Sequence, residues 1–223
     1  MKKGKAEQAF NIINYGSYNI GAFTMPYISS FLGPAYVVIV SLFDVGNVLS
    51  ASGVNYSISK SLSNRTQKIS FKTVLINMLT SIIFVTYITM FVIRLIGITL
   101  PNEIISFTSI GADANTFLAM LMIGIAFDIN IDKTRLNSAF KGILDRYLVS
   151  IFMALIIYFV LPIPEAGKIV LPIVLFSPIA SMATGYTKEI EGDLERSSFM
   201  SSLSIIFGII IMTGLMAIFA IGG

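Results

Sequence analysis

The sequence of 223 residues contains no cysteine and no histidine. Their absence excludes disulfide bonds, thiolate nucleophiles and imidazole bases, and it removes the usual protein ligands of zinc and haem. Charged residues are scarce, at 12% of the chain, and the net charge of +3 is too small to predict a nucleic-acid partner. We therefore expect a protein that is not an enzyme and has no cofactor.

Apolar residues make up 55% of the chain, and the mean hydropathy is +0.84. Seven apolar stretches are each long enough to cross a hydrocarbon core of about 30 Å. Spans A to G cover residues 9–32, 35–59, 73–98, 104–127, 147–163, 169–187 and 199–222. Of 15 basic and 12 acidic residues, only Asp44, Arg94 and Asp113 fall within these spans. The sequence therefore predicts an all-α integral membrane protein with seven transmembrane helices, whose partner is the lipid bilayer.

The basic residues outside the span centres are distributed unevenly between the two sides. Since cytoplasmic loops are enriched in lysine and arginine, the crowded side is assigned to the cytoplasm. The thirteen basic residues assigned inside are Lys2, Lys3, Lys5, Lys60, Arg65, Lys68, Lys72, Lys133, Arg135, Lys141, Arg146, Lys188 and Arg196, and the two outside are Arg94 and Lys168. This predicts a multi-pass protein of the cell membrane with a cytoplasmic N-terminus and an extracellular C-terminus.

Spans A and F contain residues that do not suit a plain lipid-facing helix. Span A reads FNIINYGSYNIGAFTMPYISSFLG, with several asparagines and glycines and Pro26, and span F carries Pro172 and Pro178. An unpaired backbone or amide group at this depth costs several kcal/mol, so partners inside the protein must satisfy such groups. Either span alone is better explained by tight packing of small residues between ordinary helices.

The positions of spans A and F favour interruption over tight packing. Interrupted helices at matching places in two halves of a chain are typical of a transporter binding site. Each of these spans is followed by one more span, and the two run in opposite directions. We therefore predict an inverted-repeat transporter in which residues 1–59 end the first repeat, residues 60–72 form a basic cytoplasmic loop, and residues 73–223 form a five-helix second repeat. Because the first repeat has two spans here, we expect three further spans, on the order of 80 to 90 residues, ahead of Met1. Without them, we expect Asn14, Asn19 and the backbone freed around Pro26 to have no partners.

Four segments resemble a known family. They are NYGSYNIGAFTMP in span A, LFDVGN in span B, ANTFLAMLMIG in span D and LPIVLFSPIASMATGY in span F. Together they resemble the auxin efflux carrier family of membrane transporters, which belongs to the group with the bile-acid sodium symporter fold. The resemblance implies two inverted repeats of five helices, with the fourth and ninth helices broken and crossing at mid-membrane. Spans A and F correspond to these two, so the chain resembles the C-terminal seven of ten helices.

The resemblance also implies a substrate and its contacts. Members that export auxin pair a proline with an asparagine in both broken helices, and span F has no asparagine. The chain is therefore similar to bacterial malate-permease-like members, which implies a small dicarboxylate. The implied substrate-binding residues are Asn14, Asn19, Pro26, Ser177, Pro178 and Ser181.

The physical chemistry of a broken helix predicts an anionic ligand, because the free N–H groups at its mid-membrane end carry about half a positive charge. Asp44 and Asn47 lie one helical turn apart in span B, and Asp113 and Asn115 lie in span D. These four are the predicted coupling residues for Na⁺ or H⁺. The alternative role for Asp44 is structural, as a cap for the broken helix. The predicted function is a secondary active transporter that works by alternating access.

Three other functions stay open. An intramembrane aspartyl protease would use Asp44 and Asp113 as acid and base, but Gly111-Ala112-Asp113 lacks the second glycine of its GxGD motif. A membrane sensor of the same fold and a non-transporting fragment differ from a carrier in flux and not in sequence. A homodimer also stays open as an assembly.

Overall fold

The computed structural model describes residues 3–63, 70–125 and 133–221, and its regular structure in those ranges is entirely helical, with no strand. The helices are α1 (Lys3–Tyr15), α2 (Met25–Ser29), α3 (Pro34–Val48), α4 (Tyr56–Ser63), α5 (Phe71–Leu79), α6 (Ile82–Leu95), α7 (Asn102–Ile125), α8 (Lys133–Phe159), α9 (Glu165–Val174), α10 (Met182–Glu189) and α11 (Leu194–Ile221). Two π-helical segments, Ile20–Thr24 and Leu49–Asn55, lead directly into α2 and α4.

Three helical segments among the described residues are long and apolar enough to cross a membrane. They are Pro34–Ser63, Leu136–Phe159 and Leu194–Phe219. A fourth is added if Phe71–Leu79 and Phe84–Leu95, which are bent by 80° at a short break, form one span. These helices indicate a membrane protein. Spans A and F are each divided into shorter helices, and the count of seven spans stays a prediction.

Helix α8 begins earlier than the sequence analysis predicts. Residues 133–146, assigned there to a cytoplasmic loop, form the first half of this helix. Their pattern is amphipathic, since Ala139, Ile143 and Tyr147 recur at every fourth position and are buried. A search for continuous apolar runs misses such a helix because its outer face is polar.

Both predicted interruptions are present, and one lies elsewhere in its span. The sequence analysis predicts the break of span A around Pro26, but α1 ends at Tyr15 and residues 16–19 are not helical. Pro26 instead lies within the continuous helical stretch of residues 20–29, directly after the π-helical segment Ile20–Thr24. In span F, the break at residues 175–181 contains Pro178, as predicted.

The interrupted segments belong to a packed body formed by α1–α4 and α8–α11. Its core includes Ile20, Ile173, Met200 and Met212, all of which are almost completely buried. Helices α5–α7, which we call the arm, lie at the periphery of this body and leave large apolar side chains exposed, as at Phe71. Helices α5 and α6 contact each other, whereas α7 contacts the segment Ile20–Thr24, α2 and α11 of the body. An apolar outer surface of this kind suits contact with lipid.

One end of the body brings together three regions that the sequence analysis places on the same side of the membrane. The guanidinium of Arg196 donates to the Glu7 carboxylate at 2.8 Å. The Ser63 hydroxyl donates to the Ile190 carbonyl at 2.8 Å. Because α4 extends to Ser63 and α5 begins at Phe71, the loop predicted at residues 60–72 is shorter than expected.

Candidate functional site at the crossing of two interrupted helices

The two breaks are in direct contact. The backbone N–H of Asn19 donates to the carbonyl of Pro178 at 2.8 Å. Beside this bond, the Thr24 hydroxyl donates to the Ser177 hydroxyl at 2.7 Å. The breaks of spans A and F therefore contact each other, and we call this region the crossing.

The backbone of the first break is satisfied by two asparagines from the next helical segment. Asn47 accepts from the Tyr18 N–H at 3.0 Å and donates to the Tyr18 carbonyl at 2.8 Å. Asn55 donates to the carbonyl of Gly16 at 2.8 Å. A β-carbon at Gly16 would lie 2.7 Å from the Asn55 amide nitrogen and 2.8 Å from the Ile12 carbonyl oxygen, so this close approach requires glycine.

The backbone of the second break is satisfied by serines from the flanking helices. The Ser150 hydroxyl of α8 donates to the Leu175 carbonyl at 2.8 Å. The Ile179 N–H donates to the Ser204 hydroxyl of α11 at 2.9 Å. The expectation that span A would leave its polar groups without partners in this chain is wrong for Asn14 and for the backbone of the break, whereas the Asn19 amide has no partner among the described residues.

Arg146 of α8 lies beneath both breaks and was missed by the sequence analysis, which assigns it to a loop. It is only 3% exposed, and its guanidinium donates to the Tyr15 carbonyl at 2.7 Å and to the Ser177 carbonyl at 3.1 Å. Its face packs 4.3 Å from the ring centroid of Tyr18. The available signal was its position on the buried stripe of α8, one turn before Ser150.

A cavity of about 430 Å³ adjoins the crossing. It is lined by Tyr18, Asn19, Ile20, Gly21, Ala22, Asp44, Asn47, Val48, Tyr87, Ala112, Ala180, Ser181 and Met182. The helical segments that resume after both breaks begin here, one at Ile20 and the other at Met182. We call this space the crossing cavity.

Two predicted substrate-binding residues line the crossing cavity with free side chains. Asn19 and Ser181 occupy the N-cap positions of the resumed segments, and neither side chain caps its helix. Asn19 is 5% exposed, and its amide makes no hydrogen bond to any described residue. An N-cap side chain normally accepts from the first turn of its own helix, whereas these two side chains are available for contacts within the cavity.

Asp44 is the charged residue among those lining the crossing cavity, and it is 3% exposed. One carboxylate oxygen accepts from the Tyr87 hydroxyl at 2.6 Å, and the other accepts from the Asn47 amide at 3.0 Å. A β-carbon at Gly21 would lie 3.1 Å from the first of these oxygens. The predicted pairing of Asp44 with Asn47 is therefore present, and Tyr87 is an additional partner that the sequence analysis did not identify.

Other predicted site residues lie elsewhere. Asn14 is completely buried, donates to the Thr187 hydroxyl at 3.1 Å and accepts from the Ser197 hydroxyl at 2.7 Å, which makes it a structural link between α1, α10 and α11. Ser177, Pro178 and Pro26 do not line the crossing cavity, although the first two form the crossing itself.

Asp113 and Asn115 belong to helix α7, but their side chains lie outside the described part of the structure. Within residues 3–63, 70–125 and 133–221, no group of three or more acidic residues is placed to hold a metal ion. The site is therefore made mainly of amides, hydroxyls and helix ends.

No protein-family model, curated protein or solved structure matches this chain. The function proposed below therefore rests on the geometry of the crossing.

Proposed function

We propose that this protein is a secondary active transporter that moves a small organic anion across the membrane by alternating access. One observation carries the proposal. The N-terminal ends of two interrupted helical segments, at Ile20 and Met182, open onto the same cavity together with the unpartnered amide of Asn19. Interrupted helices that meet within a membrane are the usual construction of a carrier binding site.

An anion suits this cavity for an electrostatic reason. Each helix N-terminus presents free N–H groups equivalent to about half a positive charge, and the effect is stronger in a low-dielectric cleft than in water. The side chains of Asn19 and Ser181 add an amide and a hydroxyl donor beside these ends. A carboxylate can accept from several of these donors at once.

The position of the crossing cavity supports alternating access. Most of its lining comes from the body, whereas Tyr87 and Ala112 come from the arm. A cavity between two units opens to one side or the other when the units move relative to each other. The arm contacts the body through polar bonds, such as that from Asn77 to Ser57 at 2.8 Å, and through close packing of Met78 against Gly53.

The finer assignments extend the proposal. We infer a cell-membrane carrier similar to the auxin efflux carrier family, with a small organic anion as substrate and a cytoplasmic N-terminus. A carrier is favoured over an intramembrane protease because both oxygens of Asp44 are already bonded to Tyr87 and Asn47, which leaves this carboxylate poorly placed to activate water.

Transport of radiolabelled malate into liposomes containing the purified chain tests the proposal. We expect uptake above that of protein-free liposomes. Replacement of Asn19 by alanine removes an unpartnered donor, so it should raise KM about tenfold while thermal stability stays close to that of the unchanged protein. Asn102→Ala, at an exposed position outside the crossing, is the matched control and should leave KM unchanged.

Asn14→Ala separates binding from stability. Because Asn14 bonds to Thr187 and Ser197 in the core, its loss should lower stability by about 1 to 3 kcal/mol and leave KM unchanged. Malate binding without flux would favour a membrane sensor over a carrier. If Asn19→Ala and Asn102→Ala had the same KM as the unchanged protein, the crossing cavity would not be the substrate site.

A further inference from the structure

Two buried regions of the crossing each contain one charged side chain, and the first region, or layer, is centred on Arg146. The Tyr15 carbonyl, at the C-terminal end of α1, and the Ser177 carbonyl, in the break that follows α9, both accept from this guanidinium. A helix C-terminal end is equivalent to about half a negative charge, so the end of α1 offsets part of the positive charge of Arg146. Arg146 makes no ion pair with a described residue, and its described hydrogen bonds go to backbone carbonyls.

The second layer is the crossing cavity, where the charges are reversed. The N-terminal ends of the segments that begin at Ile20 and Met182 together supply about one positive charge. Asp44 adjoins the same space, with one carboxylate oxygen close to Gly21. When ionised, this carboxylate balances both helix ends, so the cavity is neutral without a ligand.

A bound anion disturbs this balance unless Asp44 takes up a proton. With Asp44 ionised, one more negative charge would face the carboxylate in a buried cavity. With Asp44 neutral, the two helix ends are left with about one unbalanced positive charge. The amide of Asn19 is 5% exposed and has no partner among the described residues. Because buried polar groups are normally hydrogen-bonded, this amide can donate to an acceptor that enters the cavity.

We propose that the crossing cavity binds a carboxylate of single negative charge together with one proton held by Asp44, so that proton and anion cross the membrane in a ratio of one to one. This inference rests on the proposed transport function and adds its coupling ion, its stoichiometry and the charge of its substrate. The carboxyl group of Asp44 takes the proton from water on one side and returns it to water on the other. No bond of the substrate breaks.

Among the described residues, Tyr87 of α6 and Tyr18 are the titratable side chains that share the crossing cavity with Asp44, and Arg94 of α6 is exposed. Asp113 of α7 follows Ala112, which lines the same cavity, and its side chain lies outside the described part of the structure. Glu165 and Lys168 of α9, which packs against α3, line a different cavity at the far end of α9. The π-helical segment Ile20–Thr24, α2 and Leu49–Asn55 contribute no acidic or basic side chain.

Calorimetric titration of the purified full chain tests the inference directly. Glycerate, with one carboxylate, and malate, with two, are titrated at several values between pH 5 and pH 8, in buffers of different ionisation enthalpy so that proton uptake is counted. In the range where Asp44 is ionised, glycerate binding should take up about one proton, and its affinity should fall about tenfold per pH unit. Malate should bind more weakly, because its second charge has no counterpart.

Three variants assign the proton. Asp44→Asn cannot ionise, so glycerate should bind with an affinity independent of pH and without proton uptake. Glu103→Gln removes an exposed carboxylate and should keep the slope of the unchanged protein. Tyr87→Phe removes one of the two donors to Asp44 and leaves its carboxyl group in place, so glycerate binding should still take up about one proton.

The outcomes separate this inference from the proposed function. Glycerate binding without proton uptake at any pH, or an unchanged slope in Asp44→Asn, would overturn the coupling and leave the carrier intact. Equal affinity for malate and glycerate would overturn the single-charge rule. Absence of binding by both acids, together with absence of malate flux, would contradict the transport function and the coupling with it. If Asp44→Asn fails to fold, the number of protons that the unchanged protein takes up on glycerate binding still tests the coupling.

Discussion

At the scale of single residues, the crossing depends on polar side chains that replace water as partners for interrupted backbone. Asn47, Asn55, Ser150 and Ser204 each bond to a carbonyl or N–H that the breaks release. The Arg146 guanidinium likewise donates to two carbonyls, that of Tyr15 at the end of α1 and that of Ser177 in the second break. Its positive charge also suits the partial negative charge at the C-terminal end of a helix. In lipid no solvent could perform this role, so each of these contacts is a condition for the breaks to exist.

Replacement of Arg146 by leucine should therefore destabilise the protein strongly. The Tyr15 and Ser177 carbonyls would be left buried without donors, at a cost of about 3 kcal/mol. For a chain of this size such a loss lowers the midpoint of thermal unfolding by roughly 6 to 12 °C. The measurement is thermal unfolding of the purified protein in detergent.

The matched control for Arg146→Leu is Lys141→Leu, which removes a positive charge from the same helix at an exposed position. It should leave the unfolding midpoint nearly unchanged. An equal fall in both variants would mean that the charge of α8, and not the contacts of Arg146, stabilises the fold.

At the scale of helical elements, the protein is organised by how its segments end and resume. Helix α1 ends at Tyr15 and α9 at Val174, and the chain turns at each point before the next segment begins on the other side of the crossing. The first resumed segment is a π-helical turn, in which the Thr24 N–H donates to the Asn19 carbonyl at 3.1 Å. π-helical turns are frequent at functional sites, and this one contributes to the lining of the crossing cavity.

A disulfide across the crossing tests this arrangement. The hydroxyl oxygens of Thr24 and Ser177 are 2.7 Å apart, so Thr24→Cys with Ser177→Cys should form a disulfide on mild oxidation. The chain has no cysteine of its own, so no other thiol can compete. Mass spectrometry detects the loss of two hydrogens.

The comparison pair for this cross-link is Thr24→Cys with Ser63→Cys, since Ser63 lies at the end of the body where it contacts Ile190. This pair should stay reduced under the same oxidation. Failure of the Thr24 and Ser177 pair to cross-link, or equal cross-linking of both pairs, would contradict the crossing.

At the scale of the whole molecule, a packed body and a peripheral arm meet at the crossing cavity. The bond from Tyr87 to Asp44 joins the two units at the residue that we propose to hold the proton. In our proposal, protonation of Asp44 weakens this bond because the acceptor is no longer ionised. Binding of the proton therefore also weakens this contact between the arm and the body. The basic residues predict that the end formed by Glu7, Ser63 and Arg196 faces the cytoplasm.

Single cysteines at exposed positions test this orientation. Asn137→Cys at the start of α8 should react with a membrane-impermeant maleimide only from the cytoplasmic side, and Asn102→Cys at the start of α7 only from outside. Labelling of intact cells against inverted vesicles distinguishes the two. If both positions reacted from the same side, the predicted alternation of the spans would be wrong.

The sequence by itself determined that the protein is helical and apolar, that spans A and F are interrupted, and that Asp44 and Asn47 act as a pair. Composition and spacing along one chain segment suffice for such statements, because they concern neighbours within one helix. Only the tertiary structure decided that the first break lies at residues 16–19 and not at Pro26, since Asn47, Asn55 and Arg146 reach that break from distant segments. It likewise assigned Asn14 to the core and Asn19 to the crossing cavity, although both asparagines lie in span A. The packing of α10 and α11 around α1 decides which of them finds a partner.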